Sequence, residues 1–192
     1  MTLLKIVTNL KRHLKIDMTT TILLPVLHVC IVFWTTNMRS SADSFFMFGL
    51  LFYLTLTAAQ SIGFFMSAAL PSLQLALIIT PVLVIFLFIV GGFYIPFANM
   101  PAWLGWVKWF SFATYGYSGL LVNEYRGRDI PCASKVTFQI GESDACPLPG
   151  DDVLTSLGIT GLLAEVWFNI AMLIVLQVVC RTGAYALLRR SP

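Results

Sequence analysis

No charged residue stands between Asp43 and Lys108, an interval of 64 positions. A soluble core has no use for an uncharged stretch of that length, whereas two membrane spans of about 20 residues fit inside it. In hydrocarbon every backbone N–H and C=O must be paired within the protein, so such spans are helices or closed barrels. The alternating pattern of barrel strands is absent here. Charged residues make up 11% of the 192-residue chain and hydrophobic ones 58%, against about 25% charged in a typical soluble domain. The expected fold class is all-α and integral to the membrane. Met1 to Asp17 has no small-residue cleavage site, so no signal peptide is expected.

Four transmembrane helices are predicted, at about residues 18–36, 44–68, 73–95 and 166–188. Pro25 and Pro81 fall inside spans, where neighbouring helices re-satisfy the freed carbonyls. Asn37 to Asp43 makes a polar turn, and Pro71 separates the second span from the third. The last span has two registers. A start near Ser156 buries Glu165 close to the bilayer centre, at a cost of about 2.5–3.5 kcal/mol. A start at Val166 leaves Glu165 at the boundary beside Trp167 and lets Arg181 snorkel from the far end, so it is preferred. Residues 1–17 carry Lys5, Lys11, Arg12 and Lys15 between Leu3, Leu4, Val7, Leu10 and Leu14. They suit either a basic amphipathic helix on the membrane surface or a charged flank of the first span.

Four spans put both termini on one side, with Lys5, Lys11, Arg12, Lys15, Arg181, Arg189 and Arg190 and the single acid Asp17. By the positive-inside rule both termini are cytoplasmic and residues 96–164 lie outside. Cys30 and Cys180 fall in spans and read as small packing residues. Cys132 and Cys146 fall in the outer segment, where disulfides persist. A bridge between them closes a 15-residue loop, worth about 3 kcal/mol in the chain-entropy account; pairing with another subunit or two free thiols are the alternatives.

Within residues 96–164, the stretch Pro101 to Gly127 mixes Trp, Tyr and Phe with the lone Lys108. That is membrane–water boundary chemistry. It predicts two short amphipathic helices. Pro101 opens the first, with Trp103, Trp106, Val107 and Phe110 on one side, and the second runs from about Ala113 to Glu124. Each is too short to span, so the pair is expected to enter the outer leaflet and return as a re-entrant hairpin packed on neighbouring spans.

The segment GGFYIPFANMPAWLGWVKWFSFATYGYSGLLVNEYRG resembles the transmembrane domain of G-subfamily ABC transporters, the White–Brown half-transporters. It looks like that family's fifth span, re-entrant hairpin and Asn-Glu-aromatic-x-Gly ending. Gly158-Ile159, Trp167 with Asn169, and Arg181 with Ala184-Tyr185 follow in the family's order, and LLPVLHVCIVFW is similar to its third span. The resemblance covers about Thr20 to Arg190. It implies a partial transmembrane domain over residues 18–190 that holds the last four of six spans, working as a homodimer or heterodimer with another G-type half-transporter. ATP and Mg would be bound by a nucleotide-binding domain, since this chain has no Gly-x-x-x-x-Gly-Lys-Ser/Thr phosphate loop. The implied activity is ATP-driven export of lipids, sterols or hydrophobic small molecules, with the plasma membrane as the expected location. The alternative is a truncated, non-transporting subunit that binds and modulates intact half-transporters.

On the family pattern, Phe93 and Tyr94 match a valve pair, and Ile85, Phe88 and Ile89 line the cavity face; lipid-facing or packing aromatics are the other reading. Asn123, Glu124 and Arg126 are implied to anchor the hairpin, or else form a solvated charge cluster. Gln60 in the second span is read as interhelical glue, and His28 as a packed neutral side chain or a proton relay. No catalytic residue and no metal site are expected: the two His and four Cys form no ligand spacing. Few polar residues lie along any helical face, which argues against a channel, and nothing suggests nucleic-acid binding. Hydrophobic substrate and membrane lipid are the expected ligands.

Overall fold

The computed structural model describes residues 22–36, 41–101, 104–130 and 148–190. Its contacts fall into two compact units, Met1–Gly49 and Leu50–Pro192. The first unit holds α1 (Ile22–Thr35) and the opening turns of α2 (Ala42–Ala69). Phe33 of α1 lies edge-on to Phe45, with centroids 5.0 Å apart, and tilts against Phe48 at 6.0 Å. Gly49 leaves room for Val29, whose methyl would lie 3.6 Å from an added Cβ.

The second unit continues α2 and adds α3 (Leu73–Val90), α4 (Phe112–Tyr125), α5 (Gly150–Ser156) and α6 (Val166–Arg190). Single 3-10 turns cover Phe97–Asn99, Val107–Phe110 and Gly161–Ala164. A two-residue antiparallel ladder joins β1 (Asp129–Ile130) to β2 (Leu148–Pro149), with Asp129 opposite Pro149. Ser72 caps α3 by accepting from the Leu75 N–H at 3.4 Å. Two of the described helices, α2 and α6, are long and apolar enough to cross a membrane.

Of the two expected amphipathic helices, the first is replaced among the described residues by turns, with Trp103 outside the described residues. Pro101 opens a turn, its carbonyl accepting from the N–H groups of both Leu104 (2.9 Å) and Gly105 (3.1 Å). One 3-10 turn, Val107–Phe110, then ends at an extended Ser111. An α-helix confined to so short a stretch, with Gly105 in it, does not repay its nucleation cost. The second predicted helix exists as α4, but it is no surface helix. Nine of its 14 residues are buried, among them Phe112, Tyr115, Val122 and Glu124.

Small side chains explain that burial, because they let neighbouring backbones close in. A Cβ on Gly116 would run into the Thr55 side chain of α2, and one on Gly119 would lie 2.8 Å from Leu51. Ala113 closes on Gly91 at the end of α3, 2.6 Å from where a Cβ would stand. The Ser111 hydroxyl donates to the Leu87 carbonyl at 2.7 Å, pinning the start of α4 to α3. Tyr115 is fully buried, edge-on to Phe168 of α6, and its hydroxyl donates back to the Trp109 carbonyl at 2.7 Å.

A polar ladder joins α2 to α6. Gln177 Nε2 donates to the Leu54 carbonyl (3.0 Å) and to Thr57 Oγ1 (2.7 Å), and Arg181 Nε donates to Ser61 Oγ (3.0 Å). Each hydroxyl donates within its own helix, Thr57 to Tyr53 O and Ser61 to Thr57 O, leaving its lone pairs for the neighbour. The partners advance together along both helices, so α2 and α6 run parallel. Gln60 has no part in this ladder: it is exposed and makes no hydrogen bond among the described residues. The interhelical amide is Gln177, because Gln60 falls on the outward side of α2.

Gly116→Ala is expected to destabilise the domain by about 1–3 kcal/mol through overpacking. Gly63→Ala, where nothing stands within 4 Å of the new methyl, is expected to raise stability by about 0.5–1 kcal/mol. Thermal unfolding of the two variants in detergent checks the contrast in sign.

Candidate gate and hairpin anchor

The end of α3 places the gate candidates. Gly91 closes the helix, its N–H donating to the Phe88 carbonyl at 3.1 Å, and Gly92 takes φ +91°. A side chain on Gly92 would be strained and would also strike the Phe97 ring. This turn throws the next two side chains outward. Phe93 and Tyr94 are 62% and 65% exposed and meet edge to face, centroids 5.0 Å apart. Tyr117 of α4 joins them, edge-on to Phe93 at 5.9 Å. Sequence reasoning missed Tyr117, because one aromatic among many on α4 has no periodic mark of its own.

Below this trio, Ile85, Phe88 and Ile89 are exposed on α3, while Leu87 and Val90 are buried. Phe88 also packs edge-on against Phe112 of α4, centroids 5.5 Å apart. The structure thus brings Phe93, Tyr94 and Tyr117 together and sets Ile85, Phe88 and Ile89 on one outward apolar surface. Lys108 lies over the Phe97 and Trp109 rings, 5.6 and 5.5 Å from their centroids, within cation–π range.

The charged end of α4 is tied down on two sides. Glu124 is buried and paired with Arg128, one helical turn on. Arg126 Nη1 donates to the Ala164 carbonyl at 3.0 Å, and its Nη2 pairs with Glu165 at 3.2 Å. That hydrogen bond and charge, with a smaller contribution from Asp151, raise the Arg126 pKa further and keep it cationic. Glu165 directly precedes α6, so Arg126 links the C-terminal end of α4 to the start of α6. Asn123 is half-buried beside this cluster. The Gly150 N–H donates to the Arg128 carbonyl at 2.8 Å, joining α5 to the same corner. Cys132 and Cys146 lie outside the described residues. His28 is exposed in the first unit. Among the described residues, no group of three or more His, Cys, Asp or Glu side chains is placed to hold a metal ion.

Residues 14–125 match the ABC-2 type transporter family. The chain belongs to that family. Over 173 residues it is 28% identical to ABC transporter G family member 1 of Dictyostelium discoideum, covering 88% of this chain and 21% of that protein. It is 29% identical over 172 residues to the ABC transporter ATP-binding protein/permease wht-1 of Caenorhabditis elegans, covering 88% of this chain and 25% of that one. With ABC multidrug transporter F of Aspergillus fumigatus it shares 31% identity over 114 residues, 59% of this chain and 8% of the relative. The chain therefore spans a quarter or less of the length of these relatives. It is an ABC-2 membrane domain with transmembrane helices, and the matched region ends where α4 ends.

Within this ABC-2 domain the two ion pairs should differ in weight. Glu124→Ala removes a mostly buried charged partner and is expected to cost about 1–3 kcal/mol. Arg126→Ala breaks a pair whose side chains are 52% and 54% exposed, and is expected to cost only about 0.2–1 kcal/mol. Chemical or thermal unfolding in detergent measures the ratio.

Proposed function

We propose that this chain is the membrane-spanning part of an ATP-driven exporter of lipids, sterols or other hydrophobic small molecules, in the manner of G-family half-transporters. The observation that carries it is the outward apolar surface of α3, Ile85, Phe88 and Ile89, ending in the stacked Phe93–Tyr94 pair, in a domain of the ABC-2 family. In a dimer two such surfaces line a cavity, and the aromatic pairs close its outer end as a valve. An apolar wall binds hydrophobic cargo without choosing its chemical class by hydrogen bonds. ATP and Mg act in a nucleotide-binding domain; the residues described here carry the path, not the hydrolysis. No observation favours the reading as a non-transporting modulator.

The topology follows the same reading: spans at about 18–36, 44–68, 73–95 and 166–188, with residues 1–17 and the C-terminal end cytoplasmic and 96–164 outside. Parallel α2 and α6 support it, because α3 returns between them and the segment before α6 must then start on the side where α2 started. Re-entry of the hairpin is supported by α4 itself. Gly119 meets Leu51 and Gly116 meets Thr55, so α4 rises toward Glu165 from about a turn deeper along α2. The plasma membrane is the proposed location.

The β ladder supports a bridge between Cys132 and Cys146. Asp129 faces Pro149 and Ile130 faces Leu148, so the ladder brings together the two ends of the segment whose sequence holds both cysteines. Peptide mapping without reduction is expected to recover one crosslinked peptide pair; two free thiols in oxidised membranes would overturn the bridge.

The functional test uses the native product that contains this chain, in inside-out vesicles. ATP-dependent uptake of a fluorescent hydrophobic probe is expected, and Phe93→Ala should lower that uptake several-fold while raising basal ATPase. Uptake that ignores ATP sinks the exporter reading. Unchanged uptake and ATPase in Phe93→Ala sinks the valve alone.

A further inference from the structure

Arg181 sits inside a span, 15 residues after the first residue of α6, about 22 Å along the axis at 1.5 Å per residue. With Glu165 and Trp167 at one boundary of a hydrocarbon core about 30 Å thick, that places its Cα about 8 Å short of the other boundary. A guanidinium there demands an anion or must snorkel to the headgroups. The ladder to α2 uses only its Nε, held by Ser61 Oγ at 3.0 Å. The two terminal NH2 groups have no acceptor among the described residues, and the side chain is exposed.

Among the described residues no carboxylate pairs with Arg181. No acid stands between Ser44 and Asn123, and none follows Glu165. Asp43 opens α2 18 residues before Ser61, about 27 Å away along the helix. Asp17 lies outside the described residues. The same outward stripe of α6 continues at the i+4 and i+8 positions with Tyr185, 68% exposed, and Arg189, also exposed. The stripe thus ends in a second cation and a phenol at headgroup level, and Phe64, 63% exposed on α2, lies one helical turn beyond Ser61.

We propose that Arg181, oriented by Ser61 and extended by Tyr185 and Arg189, is a binding site for the headgroup phosphate of an anionic glycerophospholipid in the leaflet at the C-terminal end of α6. Ser61 takes the Nε–H and leaves the planar fork of the two NH2 groups facing outward, which fits two phosphate oxygens. Basic sites between helices on the cytoplasmic side take anionic headgroups in this way. The occupant is a lipid rather than free phosphate, because the fork opens onto the apolar surface of the span, which only an acyl chain can share. The inference rests on α6 crossing the bilayer, not on the export reading.

The test is native mass spectrometry of the full chain from phosphatidylcholine nanodiscs carrying a minor fraction of phosphatidylserine. Wild-type protein should retain phosphatidylserine several-fold above its bulk ratio, and added inorganic phosphate should not displace it. Arg181→Gln should bring the retained lipid to the bulk ratio, and Ser61→Ala should lower the enrichment while leaving the charge in place. Asp17→Asn should leave it unchanged. If Arg181→Gln does not insert, Arg181→Lys serves: it keeps the charge and loses the fork, and its enrichment should fall below wild type. A bulk lipid ratio on wild type, or undiminished enrichment in the position-181 variant that inserts, overturns the site. The first of those results would point instead to a carboxylate of a second subunit.

Discussion

A chain that enters hydrocarbon must have every backbone donor and acceptor paired before it arrives, and the α3–α4 connection of the second unit is a stretch where long helices do not meet that demand. Between Val90 and Ser111 the described backbone is largely irregular, and several of its N–H groups close locally. Gly91 donates to Phe88, Asn99 to Pro96, Met100 to Phe97, and Leu104 and Gly105 to Pro101. The Leu87 carbonyl near the α3 terminus takes the Ser111 hydroxyl. Irregular backbone at depth is tolerated where protein covers it, and on the proposed re-entrant reading α4 supplies that cover. Its burial is therefore a requirement of the α3–α4 connection rather than an independent packing preference.

The same constraint sorts the charges. The two ion pairs Arg126–Glu165 and Glu124–Arg128 both lie at the corner where α4 ends and α6 begins. Between α2 and α6, polar side chains meet other polar side chains or carbonyls: Gln177 meets Thr57 and Leu54, and Arg181 meets Ser61. Interhelical hydrogen bonds of this kind average only about 0.6 kcal/mol in membranes. Their larger effect is on register. Two donors four residues apart on α6 must meet two hydroxyls four residues apart on α2, and a one-residue slip of either helix loses both.

How far the sequence is legible follows from which signals hydrocarbon leaves intact. The cost of burying Glu165 selects a helix start at Val166, and α6 begins there. The charge-free interval marks where helices must lie, and α2 and α3 fill most of it. What cannot be read is rotation. In a helix that is apolar all round, periodicity does not say which way a lone polar residue faces, so Gln60 and Gln177 look alike, and only the structure separates the exposed one from the bonded one. The hairpin misleads for a related reason. Its Trp, Tyr and Lys advertise a boundary, whereas the decisive residues of α4 are the ones with little side chain, Ala113, Gly116 and Gly119, whose meaning depends on what lies opposite. Tyr117 is missed because its role comes from Phe93, 24 positions away in the chain and adjacent only after the Gly91–Gly92 turn.

That turn also explains why two large aromatics can stand outward at the end of α3. Phe93 and Tyr94 are not held by a buried face of their own; they are held by each other and by the edge of Tyr117. Edge-to-face contacts contribute about 0.5–1.5 kcal/mol beyond area burial. That is enough to favour one arrangement of three rings and small enough to be exchanged for contact with an apolar molecule of similar shape. Rigid backbone stands behind them, since Gly92 is fixed at positive φ against Phe97 and Gly91 against Ala113. A firm turn carrying weakly held rings is what the proposed aromatic valve would require. If the turn were soft the rings would not meet, and if the rings were buried they would not open.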